Sequence, residues 1–208
     1  LNMWWDALLD PFRGKAVTIP PMDGAFRPNT LLETAETFAE VAHPEALLVY
    51  EGRLLVASGA DLLAFPLEGG APTLFRRFET TISALGAFPD GGLAIALVAG
   101  EIRLLGGRFD GRVITEVAGR RIHAPTALAT AGEGVVYVAD GSARFAADDW
   151  QSDLMAHGAS GAVLRLDLAE GEGRILADGL AWPAGLLVEP DRSVIVSDAS
   201  RHRLLRIT

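Results

Sequence analysis

Pro44-Glu45-Ala46-Leu47, Pro125-Thr126-Ala127-Leu128 and Pro183-Ala184-Gly185-Leu186 are three copies of one phrase, and a weaker fourth stands at Ile82-Ser83-Ala84-Leu85. Each copy is followed, at the same offset, by a β-rich run: Leu54 to Ser58, Leu93 to Ala96, Val135 to Ala139 and Val194 to Ser197. The copies start at positions 44, 82, 125 and 183, with separations of 38, 43 and 58 residues. Periods of about 40–45 residues with several short strands per unit are the signature of a β-propeller. The spacing therefore predicts an all-β chain of four-stranded blades. Four repeat units fill residues 41–208, after an extended N-terminal segment over residues 1–40. A propeller places functional residues around a central channel, so the fold also says where to look.

Working outward from the phrase, each unit reads as strand, turn, strand. In the first, Leu47 to Tyr50 and Leu54 to Ala57 flank Glu51-Gly52, a hairpin signal. Asp61 to Leu67 and Thr73 to Phe78 supply strands three and four. In the second, Ser83 to Phe88 turns at Pro89-Asp90-Gly91-Gly92 into Leu93 to Val98, followed by Glu101 to Leu105 and Arg112 to Val117. The fourth has Leu186 to Glu189, Ser193 to Ser197 and Arg203 to Ile207, without an outer strand. Before the repeats, Val17 to Ile19 reads as an isolated strand and Leu32 to Glu40 as a short helix or a strand.

The third unit is longer than the others. Its excess lies between Asp140 and Gly161, from Gly141 to His157, and carries Arg144, Trp150, Met155 and His157. Insertions at loop tips are where binding function concentrates. Residues 141–160 are read as a lid or pocket wall, with Trp150 as its aromatic anchor; a passive excursion is the plainer alternative.

Composition narrows the function classes. The chain has 208 residues, a net charge of −9 and a pI near 4.9. Nucleic-acid binding needs clustered Lys and Arg, so this balance argues against that partner. No cysteine is present, which removes disulfides and thiolate-bound metals. No apolar run reaches the ~18 residues of a membrane span. The stretch Met3-Trp4-Trp5-Asp6-Ala7-Leu8-Leu9 is apolar enough for membrane contact through Trp4 and Trp5, or for packing on the propeller.

Several segments resemble one family. Pro21-x-Asp23-Gly24, Pro28-Asn29 and His43-Pro44-Glu45 resemble the N-terminal region of strictosidine synthase-like proteins. So do Asp140-Gly141-Ser142-Ala143-Arg144-Phe145, Gly161-Ala162-Val163-Leu164-Arg165-Leu166-Asp167 and Asp178-Gly179-Leu180-Ala181-Trp182-Pro183. The resemblance implies a six-bladed propeller, related more distantly to gluconolactonases, regucalcin and paraoxonases, of which about four blades are present here. An incomplete ring is expected to self-associate, because unpaired blade faces and strand edges seek partners. A smaller closed ring, with Val17 to Ile19 completing the last blade, is the other reading.

The same resemblance implies a small-molecule function at the channel mouth: amine–aldehyde condensation, as in strictosidine synthases, or ester and lactone hydrolysis. A non-catalytic propeller used as a ligand- or protein-binding platform is the alternative. The lactonase branch holds a calcium-type cation through Glu, Asn and Asp. By resemblance Glu45 takes the Glu position and Asp198 the Asp position, but the expected Asn falls at Ala184 and the substrate-contacting Asn at Thr126. The expectation is therefore no cofactor, with calcium disfavoured. A carboxylate enclosed in an apolar channel can shuttle a proton, and Glu45 is the candidate for that role. His123 is the second catalytic candidate. Thr126, Asp140, Arg144 and Trp150 are the substrate-binding candidates. No serine stands in a Gly-x-Ser-x-Gly elbow, and Gly106-Gly107-Arg108 reads as a hairpin turn rather than a phosphate loop.

Overall fold

The computed structural model describes residues 27, 28, 30–132 and 134–208. Trp4, Trp5 and the expected strand Val17 to Ile19 lie outside them. The chain divides into two compact units, Leu1–Phe38 and Ala39–Thr208.

In the first unit the described residues make one turn at 31–34, where the Glu33 N–H donates to the Thr30 carbonyl. The Thr34 hydroxyl donates to the Leu31 carbonyl. Neither the helix nor the strand expected over Leu32 to Glu40 forms. Thr34 satisfies the turn locally, in competition with a backbone ladder.

The second unit is a series of antiparallel sheets. The first contains β1 (Pro44–Tyr50), β2 (Arg53–Ser58), β3 (Asp61–Pro66) and β4 (Thr73–Arg77), in that order. The second contains β5 (Ile82–Ala87), β6 (Leu93–Leu97), β7 (Glu101–Leu105) and β8 (Val113–Ile114). A two-stranded ribbon follows, β9 (Glu116–Val117) with β10 (Arg120–Arg121). The third sheet contains β11 (Pro125–Ala131), β12 (Val135–Asp140), β13 (Gly161–Asp167) and β14 (Glu172–Leu180). The last contains β15 (Pro183–Val188), β16 (Val194–Asp198) and β17 (Arg203–Ile207). These are blades of a propeller, each a meander whose first strand packs on the first strand of its neighbour: β1 on β5, β5 on β11, β11 on β15.

Turn chemistry sets the register. Glu51 and Gly52 both take left-handed φ, 47° and 72°, the pair that a two-residue hairpin matching strand twist requires. Ala118 and Gly119 do the same, at 52° and 75°. That turn corrects one expectation. The single strand expected from Arg112 to Val117 is cut at Ile114, because Glu116 and Val117 fold back on Arg121 and Arg120.

The core lies between blades rather than within them. Along β6, Leu93, Ile95 and Leu97 face the first blade's Leu55, Ala57 and Leu62, while Ala94 and Ala96 face the third blade's Val136, Val138 and Leu164. Along β12 and β13, Tyr137 and Val163 turn the other way, onto Val194 and Val196 of the last blade. Middle strands buried on both faces explain the unbroken apolar runs in the sequence. On the end blades, Leu47 and Val49 are 66% and 64% exposed, and Leu187 and Leu204 are 59% and 72% exposed.

Candidate functional site

Every blade begins with the same irregularity. The register slips between Pro44 and Ala46, Ile82 and Ala84, Pro125 and Ala127, and Pro183 and Gly185. One residue per blade is thus unpaired in a β-bulge, a device that re-aims a side chain. The four bulged residues are Glu45, Ser83, Thr126 and Ala184, and all four line one cavity of about 600 Å³. The repeated phrase places its variable second residue at the channel mouth.

A latch holds the loop that enters each of three inner strands. The residue opposite the first inner-strand position is Ser58, Asp140 or Asp198. Ser58 donates to the Ala42 carbonyl at 2.6 Å. Asp140 accepts the N–H groups of His123 and Ala124 at 3.0 and 2.7 Å and pairs with Arg120. Asp198 accepts the Ala181 N–H at 2.6 Å through one oxygen and Arg203 Nε at 2.8 Å through the other. Both aspartates are fully buried. In the second blade the equivalent position is Leu97, which has no polar group to give.

These latches act on the site. The N–H groups of Ala199 and Ser200 donate to the carbonyls of Trp182 and Ala181, so the chain beside Asp198 grips the loop carrying Trp182. Trp182 and His43 each precede a proline yet hold left-handed φ, at 57° and 48°. Pre-proline residues favour extended backbone, and such outliers cluster at functional sites. Both line the cavity. Gly141 lets Trp182 lie close: a Cβ there would stand 2.9 Å from Thr126 Cγ2 and 3.3 Å from the indole.

The long third-blade insertion forms a 3₁₀ turn at Ala147–Asp149 and a short helix, Trp150–Met155. It is anchored from beneath. Buried Ser142 donates to Asp153 at 2.7 Å and accepts the N–H groups of Arg144 and Phe145. Ala147, Asp148 and Trp150 of the insertion line the cavity.

The structure thus brings Glu45, Thr126 and Trp150 of the expected site residues together, with Ala184 among them. It leaves the others outside the lining. Asp140 and Asp198 are turned inward as latches, which uses their oxygens on the chain itself. His123 contributes its backbone N–H to Asp140, and Arg144 stacks on Phe145 at 5.3 Å. The Thr126 hydroxyl lies against the carbonyls of Pro183 and Ala139 and spends its one proton between them. Glu45 is exposed and carries no hydrogen bond or ion pair among the described residues. The Ser83 hydroxyl is buried without a partner. Ser83, Thr81, Asp148 and Trp182 were not singled out from sequence; the repeated bulge position would have found Ser83.

A divalent cation does not fit this donor set. Ala184 offers no ligand, Asp198 is buried outside the cavity lining with its oxygens on Ala181 and Arg203, and no group of three or more His, Asp or Glu suited to a metal occurs among the described residues.

Comparison with known proteins agrees with the resemblance read from sequence. Residues 127–207 match the family model described as strictosidine synthase. The adipocyte plasma membrane-associated protein of Danio rerio is 28% identical over 209 residues, covering 90% of this chain and 50% of its own. A gluconolactonase from Xanthomonas campestris superposes with a TM-score of 0.65 at 18% identity, over 81% of this chain and 59% of that one. The nidogen/laminin complex gives a TM-score of 0.63 at 17% identity, over 83% and 64%. These likenesses show a propeller fold, with the strictosidine synthase match confined to residues 127–207. The chain spans about half the length of the curated relative it matches.

Proposed function

We propose that the channel-mouth cavity binds a small organic amine and that the protein is an enzyme condensing such an amine with an aldehyde. The observation that carries this reading is the chemistry of the lining. It holds two carboxylates, Glu45 and Asp148, two indoles, Trp150 and Trp182, and no Lys or Arg. An ammonium group is favoured by carboxylates and by aromatic faces, and the pairing strengthens as water is excluded. The strictosidine synthase match supports the same chemistry.

In this reading the amine's charged end sits toward Glu45 and its apolar end lies against Trp150 and Trp182. Glu45, unpartnered among the described residues, removes a proton from the ammonium. The freed nitrogen attacks the aldehyde carbon, and a proton returned by the carboxyl lets the hydroxyl leave as water. Positioned acid–base groups contribute ~10²–10⁴-fold to such steps. A lactonase route through a bound cation has no matching donor set here, so no step is assigned to one.

Binding without turnover is the second reading. It is favoured by the inner ring itself, since Ala184 has no functional group and the Thr126 hydroxyl is committed to carbonyls. The test is to incubate the protein with arylalkylamines and aldehydes and to follow condensed product by mass spectrometry, beside an ester and lactone panel with and without calcium. Product that Glu45→Gln reduces by about 10² or more supports the enzyme. Amine binding without product supports the second reading. Calcium-dependent hydrolysis contradicts both.

A further inference from the structure

The opposite end of the blades holds a second polar cavity of about 320 Å³, which the reading above does not use. Three successive blades meet there. Arg108 comes from the connection after β7, Arg165 from β13 and Arg192 from the turn between β15 and β16, with Tyr137 in the lining. Two carboxylates, Asp167 and Glu170, share it.

Those carboxylates do not cancel the three guanidinium groups. Asp167 is occupied: one oxygen accepts the N–H groups of Ala169 and Glu170 at 3.1 and 3.3 Å, and the other meets Arg165 at 3.4 Å. Arg192 forms no ion pair among the described residues, and Arg108 forms none either, although its charge acts on the nearby Asp90 carboxylate. Arg108 lies 5.4 Å from the Phe109 ring centre. Its backbone is fixed, because the Arg108 N–H donates to Asp90 at 2.9 Å across two turns of the same blade. Arg192 is held at a left-handed φ of 68° by its N–H bond to the Glu189 carbonyl. Arg192 without an ion pair, Arg108 balanced only at a distance by Asp90, and a half-engaged Arg165 thus meet one carboxylate, Glu170, that has no bond of its own among the described residues, in a chain whose net charge is −9.

We propose that this cavity is a binding site for a small, doubly charged oxyanion, a phosphate or a dicarboxylate. Guanidinium forks match the paired oxygens of either group, and bonds between ionised partners are the strong ones. The site is independent of the channel mouth, since its residues come from the other ends of the strands. Glu170 tunes it: its carboxylate repels the anion and sets the affinity below what the arginines alone would give.

The experiment is calorimetric titration of the whole chain with inorganic phosphate and, separately, with succinate, at low ionic strength, with chloride as the control. The expected result is one-to-one binding of at least one dianion in the millimolar range or tighter. Arg192→Ala and Arg108→Ala should each weaken it about tenfold, as loss of a charged hydrogen bond does. Glu170→Gln should tighten it several-fold, added salt should weaken it, and Glu45→Gln should leave it unchanged. Phosphate alone binding identifies a phosphate site, and succinate alone a dicarboxylate site. Absence of binding to both overturns the proposal. So does binding that survives Arg108→Ala and Arg192→Ala in combination, with the fold of that variant checked by circular dichroism.

Discussion

Replacing Asp198 separates a structural latch from a metal ligand. Asp198 is fully buried and holds the Ala181 N–H at 2.6 Å and Arg203 Nε at 2.8 Å. Asp198→Ala strands the Ala181 N–H, whose residue is 5% exposed, at a cost of about 1–3 kcal/mol. It also removes a charge-assisted bond of about 1.5–3 kcal/mol. Arg203 is 46% exposed and re-solvates, so the lower part of that second range applies. The sum is about 3 kcal/mol, or a Tm lower by about 6–12 °C for a chain of this size. Asp198→Asn keeps an acceptor for Ala181 and should lose about half as much. Thermal melts with and without calcium decide the matter. A latch gives these losses in both conditions and no calcium effect. A metal ligand gives a calcium-dependent rise in the native protein that the variants lack, with unchanged calcium-free stability. That pattern would refute the reasoning.

Leu164 is fully buried between the second and third blades, so Leu164→Ala should cost about 2–5 kcal/mol by denaturant titration. Trp150 is 46% exposed, so Trp150→Ala should leave the Tm within about 1 °C yet weaken amine binding several-fold. Three carboxyls are held below the ordinary carboxylate range: Asp61 by the Arg77 guanidinium, Asp90 by the Arg108 N–H, and Asp191 by the Ser193 hydroxyl. A depressed folded-state value stabilises above the unfolded value and is lost as pH falls through the folded one. Stability should therefore hold above pH about 4 and decline below it. Asp90→Asn should be less stable than the native chain at neutral pH, with the gap closing in acid.

The blades were legible because their signals are local. A period-two pattern, Glu51-Gly52 and Pro89-Asp90-Gly91-Gly92 are read within a few residues, and β1 to β3 formed almost where the pattern ends. The Ala118-Gly119 turn was missed because alanine is a poor indicator of left-handed backbone. At the site, Glu45, Thr126 and Trp150 were legible through the repeat and the length of the insertion. The burial of Asp140 and Asp198 was not, because an aspartate facing a channel and one facing its own loop have the same sequence. Only the distances to Ala124 N, Ala181 N and Arg203 distinguish them. Trp182 stands within a family motif, but its placement in the cavity depends on a left-handed φ that no residue type announces.

The most direct test of the account is calorimetric titration of the whole chain with 2-phenylethylamine and with 3-phenylpropionate, molecules of similar shape and opposite charge. The account predicts one-to-one binding of the amine, loss of about tenfold in affinity in Glu45→Gln, and no binding of the carboxylate. Equal binding of both, a preference for the carboxylate, or an amine affinity indifferent to Glu45 would contradict it.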